Sequence, residues 1–140
     1  MRIADLTEPF YDDAIAIWHA CGLTRPWNDP AYDLRFAMDG PASTVLGAFD
    51  GDTLAGTVMV GHDGHRGWVY YFGVLPDRQR HGIGRALMGA AEEWLRERGV
   101  PALNLMVRTS NEAALGFYER LGYDTVEVVV LARRLGNGPR

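Results

Sequence analysis

The sequence predicts an α/β domain with one mixed, mostly antiparallel central sheet. Three observations carry this. Two apolar runs, Thr44–Phe49 and Thr53–Val60, meet at Asp50-Gly51-Asp52, and Asp-Gly is a strong hairpin signal. A third run, Trp68-Val69-Tyr70-Tyr71-Phe72-Gly73-Val74, is unbroken and aromatic between Gly67 and Pro76, which suits a strand buried on both faces. Beyond it, Ile83, Ala86, Leu87, Ala90, Ala91, Trp94 and Leu95 recur at helical spacing until Gly99 closes the helix.

The other elements follow in order. Arg2–Leu6 reads as a short first strand and Tyr11–Cys21 as a helix, with Ala14, Ile17, Trp18 and Cys21 on one face and Gly22 as its stop. Thr24-Arg25-Pro26-Trp27-Asn28-Asp29-Pro30 is irregular because two prolines fix it. It is either a binding loop or a stiff connector with Trp27 tucked into the core. Ala31–Met38 is a second helix, ended by Asp39-Gly40-Pro41. Ala102–Val107 is a further strand, and Thr109 with Glu112 forms a capping box for another helix. On that helix Ala114, Phe117, Tyr118 and Leu121 share a face, and Gly122 ends it. Thr125–Leu131 is a last, β-branched strand, and Gly136–Arg140 is a loose tail.

Length and composition bound the function. A chain of 140 residues is one domain, and 47% apolar residues argue against disorder. The net charge of −4 argues against general nucleic-acid binding, which wants a basic face. Cys21 is the only cysteine, so no intramolecular disulfide forms and a reducing cytoplasm is the expected home. No leader-like segment and no apolar run of membrane-spanning length is present, so no membrane role is expected.

Between the aromatic strand and the long helix lie Gly82 and Gly84, flanked by Arg78, Arg80, His81 and Arg85. A strand, a glycine turn and a helix N-terminus make an anion site. Free backbone N–H groups and the positive dipole end face the turn, and arginines add charge-assisted bonds. The ligand should carry phosphate. The plainer alternative is a tight connection with a solvated basic edge. A dinucleotide-binding fold is disfavoured, because hairpins rather than a βαβ unit precede the turn and Leu87 occupies the third glycine position of G-x-G-x-x-G.

The order Gln79-Arg80-His81-Gly82-Ile83-Gly84 resembles the Q/R-x-x-G-x-G/A pyrophosphate motif of the GCN5-related N-acetyltransferase (GNAT) family. Asn111-Glu112-Ala113-Ala114-Leu115-Gly116-Phe117-Tyr118-Glu119-Arg120-Leu121-Gly122-Tyr123 looks like that family's second cofactor helix. Arg25–Pro30 and Asp63–Gly67 resemble the YpeA-like bacterial branch. The similarity spans nearly the whole chain. It implies a GNAT-like fold with about four helices, a sheet splayed between strands four and five, and acetyl-CoA as co-substrate in the gap. It also makes a homodimer an expectation, with the last strand as a contact.

Acyl transfer to an amine has definite needs. The amine, near pKa about 10.4 when lysine-like, must lose a proton; an oxyanion needs donors; a thiolate of pKa about 8.5 benefits from an acid. The resemblance implies that backbone from Phe72, Gly73 and Val74 meets the thioester. It implies that Gln79, Arg80, His81, Gly82, Ile83, Gly84 and Arg85 surround the pyrophosphate, and that Asn111 contacts the pantetheine arm. Tyr118 aligns with the family's helix tyrosine, the general acid, although its spacing also suits a core aromatic. Asn111 could equally be a plain polar residue beside a cap.

No carboxylate lies on Trp68–Val74, and Ala102–Val107 offers only Asn104 and Met106 as candidate groups. The base therefore comes from a loop, with Asp29, Asp63 and His65 as candidates, or water carries the proton to solvent. His65 is of the residue type that titrates nearest neutrality, but a hairpin turn can leave it exposed. His62, Asp63 and His65 are too crowded for a good metal site, so no metal is expected. The acceptor, a small-molecule or protein amine, should meet Trp27, Asp29, His65 and Tyr70. Its charge stays open, since Arg25 and Arg66 accompany the acids. A non-catalytic acyl-CoA sensor is the alternative reading, and the missing strand carboxylate sustains it.

Overall fold

The computed structural model describes residues 1–136, so the expected loose tail lies, but for Gly136, outside the described residues. Five strands form one sheet in sequence order: β1 (Arg2–Asp5), β2 (Ser43–Asp50), β3 (Thr53–His62), β4 (Gly67–Val74) and β5 (Leu103–Asn104). All neighbours are antiparallel except β4 and β5, which are parallel because a helix carries the chain across. The β2–β3 hairpin closes through Gly51 and Asp52, with Asp50 opposite Thr53, as Asp-Gly foretold.

Helices cover both faces. α1 (Tyr11–Ala20) and α2 (Pro30–Asp39) lie on one side, where Trp18, Ile17, Leu34, Val45 and Phe49 make one core cluster. α3 (Ile83–Glu97) lies on the other, burying Ile83, Leu87, Met88, Ala91 and Leu95 against Val58, Val60 and Val69. α4 (Glu112–Arg120) packs beside α3, and the Tyr123 hydroxyl donates to Glu92 at 2.5 Å to tie the two together. Three helices end alike. Gly22, Gly99 and Gly122 take φ of 67°, 73° and 94°, and the next N–H returns to the carbonyl of Trp18, Leu95 or Tyr118.

Sheet pairing is tight enough to specify one glycine. Gly56 of β3 stands opposite Val74, and an added Cβ there would lie 2.9 Å from the Gly73 carbonyl oxygen. Gly56→Ala is expected to cost about 1–3 kcal/mol, read as a lower urea midpoint at unchanged slope.

Four expectations need correction. The predicted strand Ala102–Val107 shrinks to Leu103–Asn104, since β4 and β5 pair only at Gly67↔Leu103 and Trp68↔Asn104. Thr125–Leu131 pairs with no strand among the described residues; Val126, Val129 and Leu131 are 66%, 84% and 90% exposed. β-Branched composition favours a strand only where a neighbour exists to pair. β4 is not buried along both faces, because Tyr70 opens onto a cavity. Asn111, not Thr109, caps α4, its side-chain oxygen accepting the Ala114 N–H at 3.1 Å. No helix among the described residues is long and apolar enough to cross a membrane.

Candidate active site

The site is organised by a bulge in β4. Met59 stands opposite Tyr70 and Thr57 opposite Gly73, so β4 carries one residue more than β3 across that interval. Tyr71 absorbs the extra residue in the left-handed region, at φ 49°. Ordinary alternation would send Tyr70 and Tyr71 to opposite faces. Here both turn toward the α1/α2 side, and Phe72 turns toward α4.

Buried groups hold the bulge. Trp18 Nε1 donates to Thr57 Oγ1 at 2.8 Å, and Thr57 Oγ1 donates to the Tyr71 carbonyl at 3.0 Å. The Trp18 and Tyr71 rings stack at 4.0 Å. The Val74 carbonyl accepts from Gln79 Nε2 at 3.0 Å and Cys21 Sγ at 3.3 Å, which ties the strand end to the turn and to α1. Burial pushes the Cys21 thiol up, so it stays a thiol and a donor.

Two cavities flank this strand. The smaller, about 610 Å³, opens where β5 leaves β4. From Val69 onward no strand among the described residues pairs with β4 on that side, so alternate backbone groups there are available to a ligand. Phe72, Gly73, Val74, Gln79, Arg80, Gly82, Gly84, Arg85 and Asn111, all expected there, line it. Arg80 and Gly82 take φ of 68° and 79°, bending the turn into the α3 N-terminus. Gly84 lies close under two rings: a Cβ would sit 3.1 Å from Phe72 Cζ and 3.4 Å from Phe117 Cζ. Unpaired first-turn N–H groups, the dipole end and arginines fit a diphosphate. Asn111 spends its side-chain oxygen on the cap, which leaves its NH₂ free to donate.

Three expected residues contribute differently. Ile83 buries its side chain in the core, and His81 lines neither cavity. Tyr118 also lines neither. Its ring packs on Phe72, Phe117 and Tyr123, with centroids at 6.1, 5.2 and 5.7 Å. Burial pushes its phenol up to about 12. Arg78, Arg120, Cys21 and Leu23 line the cleft and were not singled out as ligands by the sequence. For Arg78 the basic flank of the glycine turn was the signal; it also pairs with Asp50 at 2.7 Å. Arg120 ends α4, and periodicity alone does not mark it.

The larger cavity, about 840 Å³, lies on the α1/α2 side, and Leu23 lines both. Of the residues expected to meet the acceptor, Trp27 and Tyr70 line it, as does the candidate base Asp63, whereas Asp29 and His65 do not. Asp29 caps α2 by accepting the Tyr32 N–H at 3.1 Å. Asp63 Oδ1 accepts the N–H groups of His65 and Arg66 at 2.9 and 2.8 Å, bonds that hold its carboxyl below the usual range. Asp33, which sequence reading missed, lines the cavity and accepts the Tyr71 hydroxyl at 2.7 Å. The available signal was a carboxylate at i, i+3, i+4 spacing with Phe36 and Ala37, which share that wall.

A family model described as the acetyltransferase (GNAT) family matches residues 9–123. The chain belongs to that family. A protein from Yersinia pestis (strain Pestoides F) named "Acetyltransferase" is 41% identical over 135 residues, 96% of each chain. Among solved structures, the ribosomal-protein-S18-alanine N-acetyltransferase of Escherichia coli is 27% identical with a TM-score of 0.77, over 89% of this chain and 78% of that one. The aminoglycoside acetyltransferase meta-AAC0020, from an uncultured soil metagenomic sample, aligns with a TM-score of 0.82 at 19% identity over 96% of each chain, a likeness of fold. The splayed β4–β5 edge, the five-stranded sheet and the four α-helices are thus those of a GNAT protein.

Proposed function

We propose that this GNAT protein moves an acetyl group from acetyl-CoA to a primary amine by direct attack, across the β4 bulge. The observation that carries the reading is that adjacent residues of one strand, Tyr71 and Phe72, face different cavities. A donor cleft and an acceptor cavity therefore share β4 as a wall. The Escherichia coli neighbour is named for alanine N-acetylation, and the metagenomic one is seen with sisomicin, which supports an amine acceptor.

Acetyl-CoA would supply the activated acyl thioester. The chain supplies the rest. The α3 N-terminus with Arg80, Arg85 and Arg120 binds diphosphate, and the Asn111 amide donates to the pantetheine arm. Backbone from Phe72 to Val74 supplies donors where negative charge develops. Tyr118, protonated at neutral pH, is the acid in this reading: its ring packs behind Phe72 and Phe117, which line the cleft, and its hydroxyl would reach the departing sulfur past them. The amine's proton leaves to solvent through the open acceptor cavity. Asp63 is a poor base, since its carboxylate is stabilised by turn N–H groups, and His65 lies outside both cavities.

A thermal shift with acetyl-CoA tests the donor half. Ligand at about 100 times its dissociation constant adds about 2.7 kcal/mol, several degrees for a domain of this size. A shift that shrinks with CoA lacking its 3′-phosphate is expected, and no shift at high acetyl-CoA overturns the reading. Thiol release over an amine panel tests the transfer. All 14 basic residues are arginines, so no lysine of the chain can be acetylated and mistaken for turnover.

A further inference from the structure

The acceptor cavity contains a carboxylate that the fold does not consume. Asp63 is committed to its turn, but Asp33 uses one oxygen on Tyr71 and forms no ion pair among the described residues. We propose that Asp33, held by Tyr71, anchors the ammonium of a monocationic amine with an aromatic or similarly apolar body. This rests on the acetyl-transfer reading and narrows its acceptor class.

Charge, shape and position agree. The cavity walls include Trp27, Phe36, Met59, Trp68, Tyr70 and Met106, and about 840 Å³ holds a body the size of an arylalkylamine with room to spare. Trp27 and Tyr70 are half exposed, so their ring faces are available to an apolar group or a cation. Partial burial raises the Asp33 carboxyl, the Tyr71 hydrogen bond offsets part of that rise, and the charge of Asp29 adds to it. A carboxylate in no ion pair among the described residues is one that a bound ammonium can pair. The Tyr71 hydroxyl fixes the carboxylate geometry from the residue that adjoins the donor cleft, so the ammonium at Asp33 is held beside the shared wall and attacks as the free amine once its proton has left to solvent through the open cavity.

The same wall disfavours polycations. Arg108 lines the cavity, so a second ammonium on the acceptor meets a like charge, and Asp63 Oδ1 is already spent on two turn N–H groups. The site therefore suits one cation on an apolar frame better than a polyamine.

The test is calorimetric titration of CoA-saturated protein with 2-phenylethylamine, spermidine and the neutral 2-phenylethanol. Wild type is expected to bind 2-phenylethylamine more tightly than spermidine. Asp33→Asn should weaken the amine about tenfold or more, the range of a hydrogen-bonded charge, and leave 2-phenylethanol unchanged. Tyr71→Phe, which keeps the carboxylate, should lose less, and it serves if Asp33→Asn does not fold. Equal amine affinity in wild type and Asp33→Asn overturns the proposal, as does tighter spermidine binding or no binding of 2-phenylethylamine. CoA titrated alone fails only if the donor reading is wrong, and the amine titration into free protein then still decides the Asp33 site.

Discussion

Trp18→Ala should lower the melting temperature by roughly 10 °C or more, the largest single effect expected in this chain. Trp18 is fully buried, and truncating a buried tryptophan costs about 3–5 kcal/mol through lost transfer energy and the cavity left behind. At a domain of this size each kcal/mol is worth about 3–4 °C. The loss reaches beyond packing. The indole N–H is the donor to Thr57 Oγ1, which in turn donates to the Tyr71 carbonyl, and the indole ring stacks on Tyr71. Removing it frees the residue that divides the two cavities. Thr57→Val separates the effects, since it keeps volume and deletes the hydroxyl, at about 1–3 kcal/mol for the indole donor and Tyr71 carbonyl left unpaired. Thermal unfolding of both variants is the measurement. A Trp18→Ala protein melting within about 3 °C of wild type would mean that the indole does not hold the bulge.

That bulge also marks the limit of what was legible in the sequence. The β2–β3 hairpin, β4, α3 and α4 were readable because each is declared locally, by Asp-Gly, by an aromatic run or by helical spacing closed with glycine. The lining of the cleft at the glycine turn was readable for the same reason: Gln79 to Arg85 is one contiguous turn, and Asn111 opens the next helix. The acceptor side was not. Asp33 and Tyr71 lie 38 positions apart, and period-two alternation places Tyr71 on the wrong face. Only the inserted residue brings Tyr71 round to Asp33. The last predicted strand failed for the converse reason. Thr125–Leu131 has the composition of a strand but pairs with no edge among the described residues, and β-propensity measures fit to neighbours more than a backbone preference. Thr109 and Asn111 both suit a cap by type, and the turn from Arg108 to Asn111 decides for the latter.

Tyr118→Phe should reduce kcat about 100-fold, the lower range for loss of a positioned acid, with little change in KM for acetyl-CoA. Its hydroxyl has no hydrogen-bond partner among the described residues, whereas its ring is held by Phe72, Phe117 and Tyr123. Phe72 and Phe117 themselves line the donor cleft. Phenylalanine keeps those ring contacts and removes only the group that donates, so the melting temperature should stay within about 2 °C of wild type. The pH profile supplies an independent readout. Burial pushes the Tyr118 phenol up to about 12, so it remains protonated through the range in which the enzyme is assayed. A raised folded-state pKa means the proton is retained as pH rises past the ordinary tyrosine value and is lost only near pH 12. Wild-type kcat should therefore show no alkaline fall from this group below about pH 11. Tyr118→Phe should lower the whole profile without moving its acidic limb. A variant with kcat within threefold of wild type would identify Tyr118 as a packing residue, and the departing sulfur would then take its proton from water in the cleft.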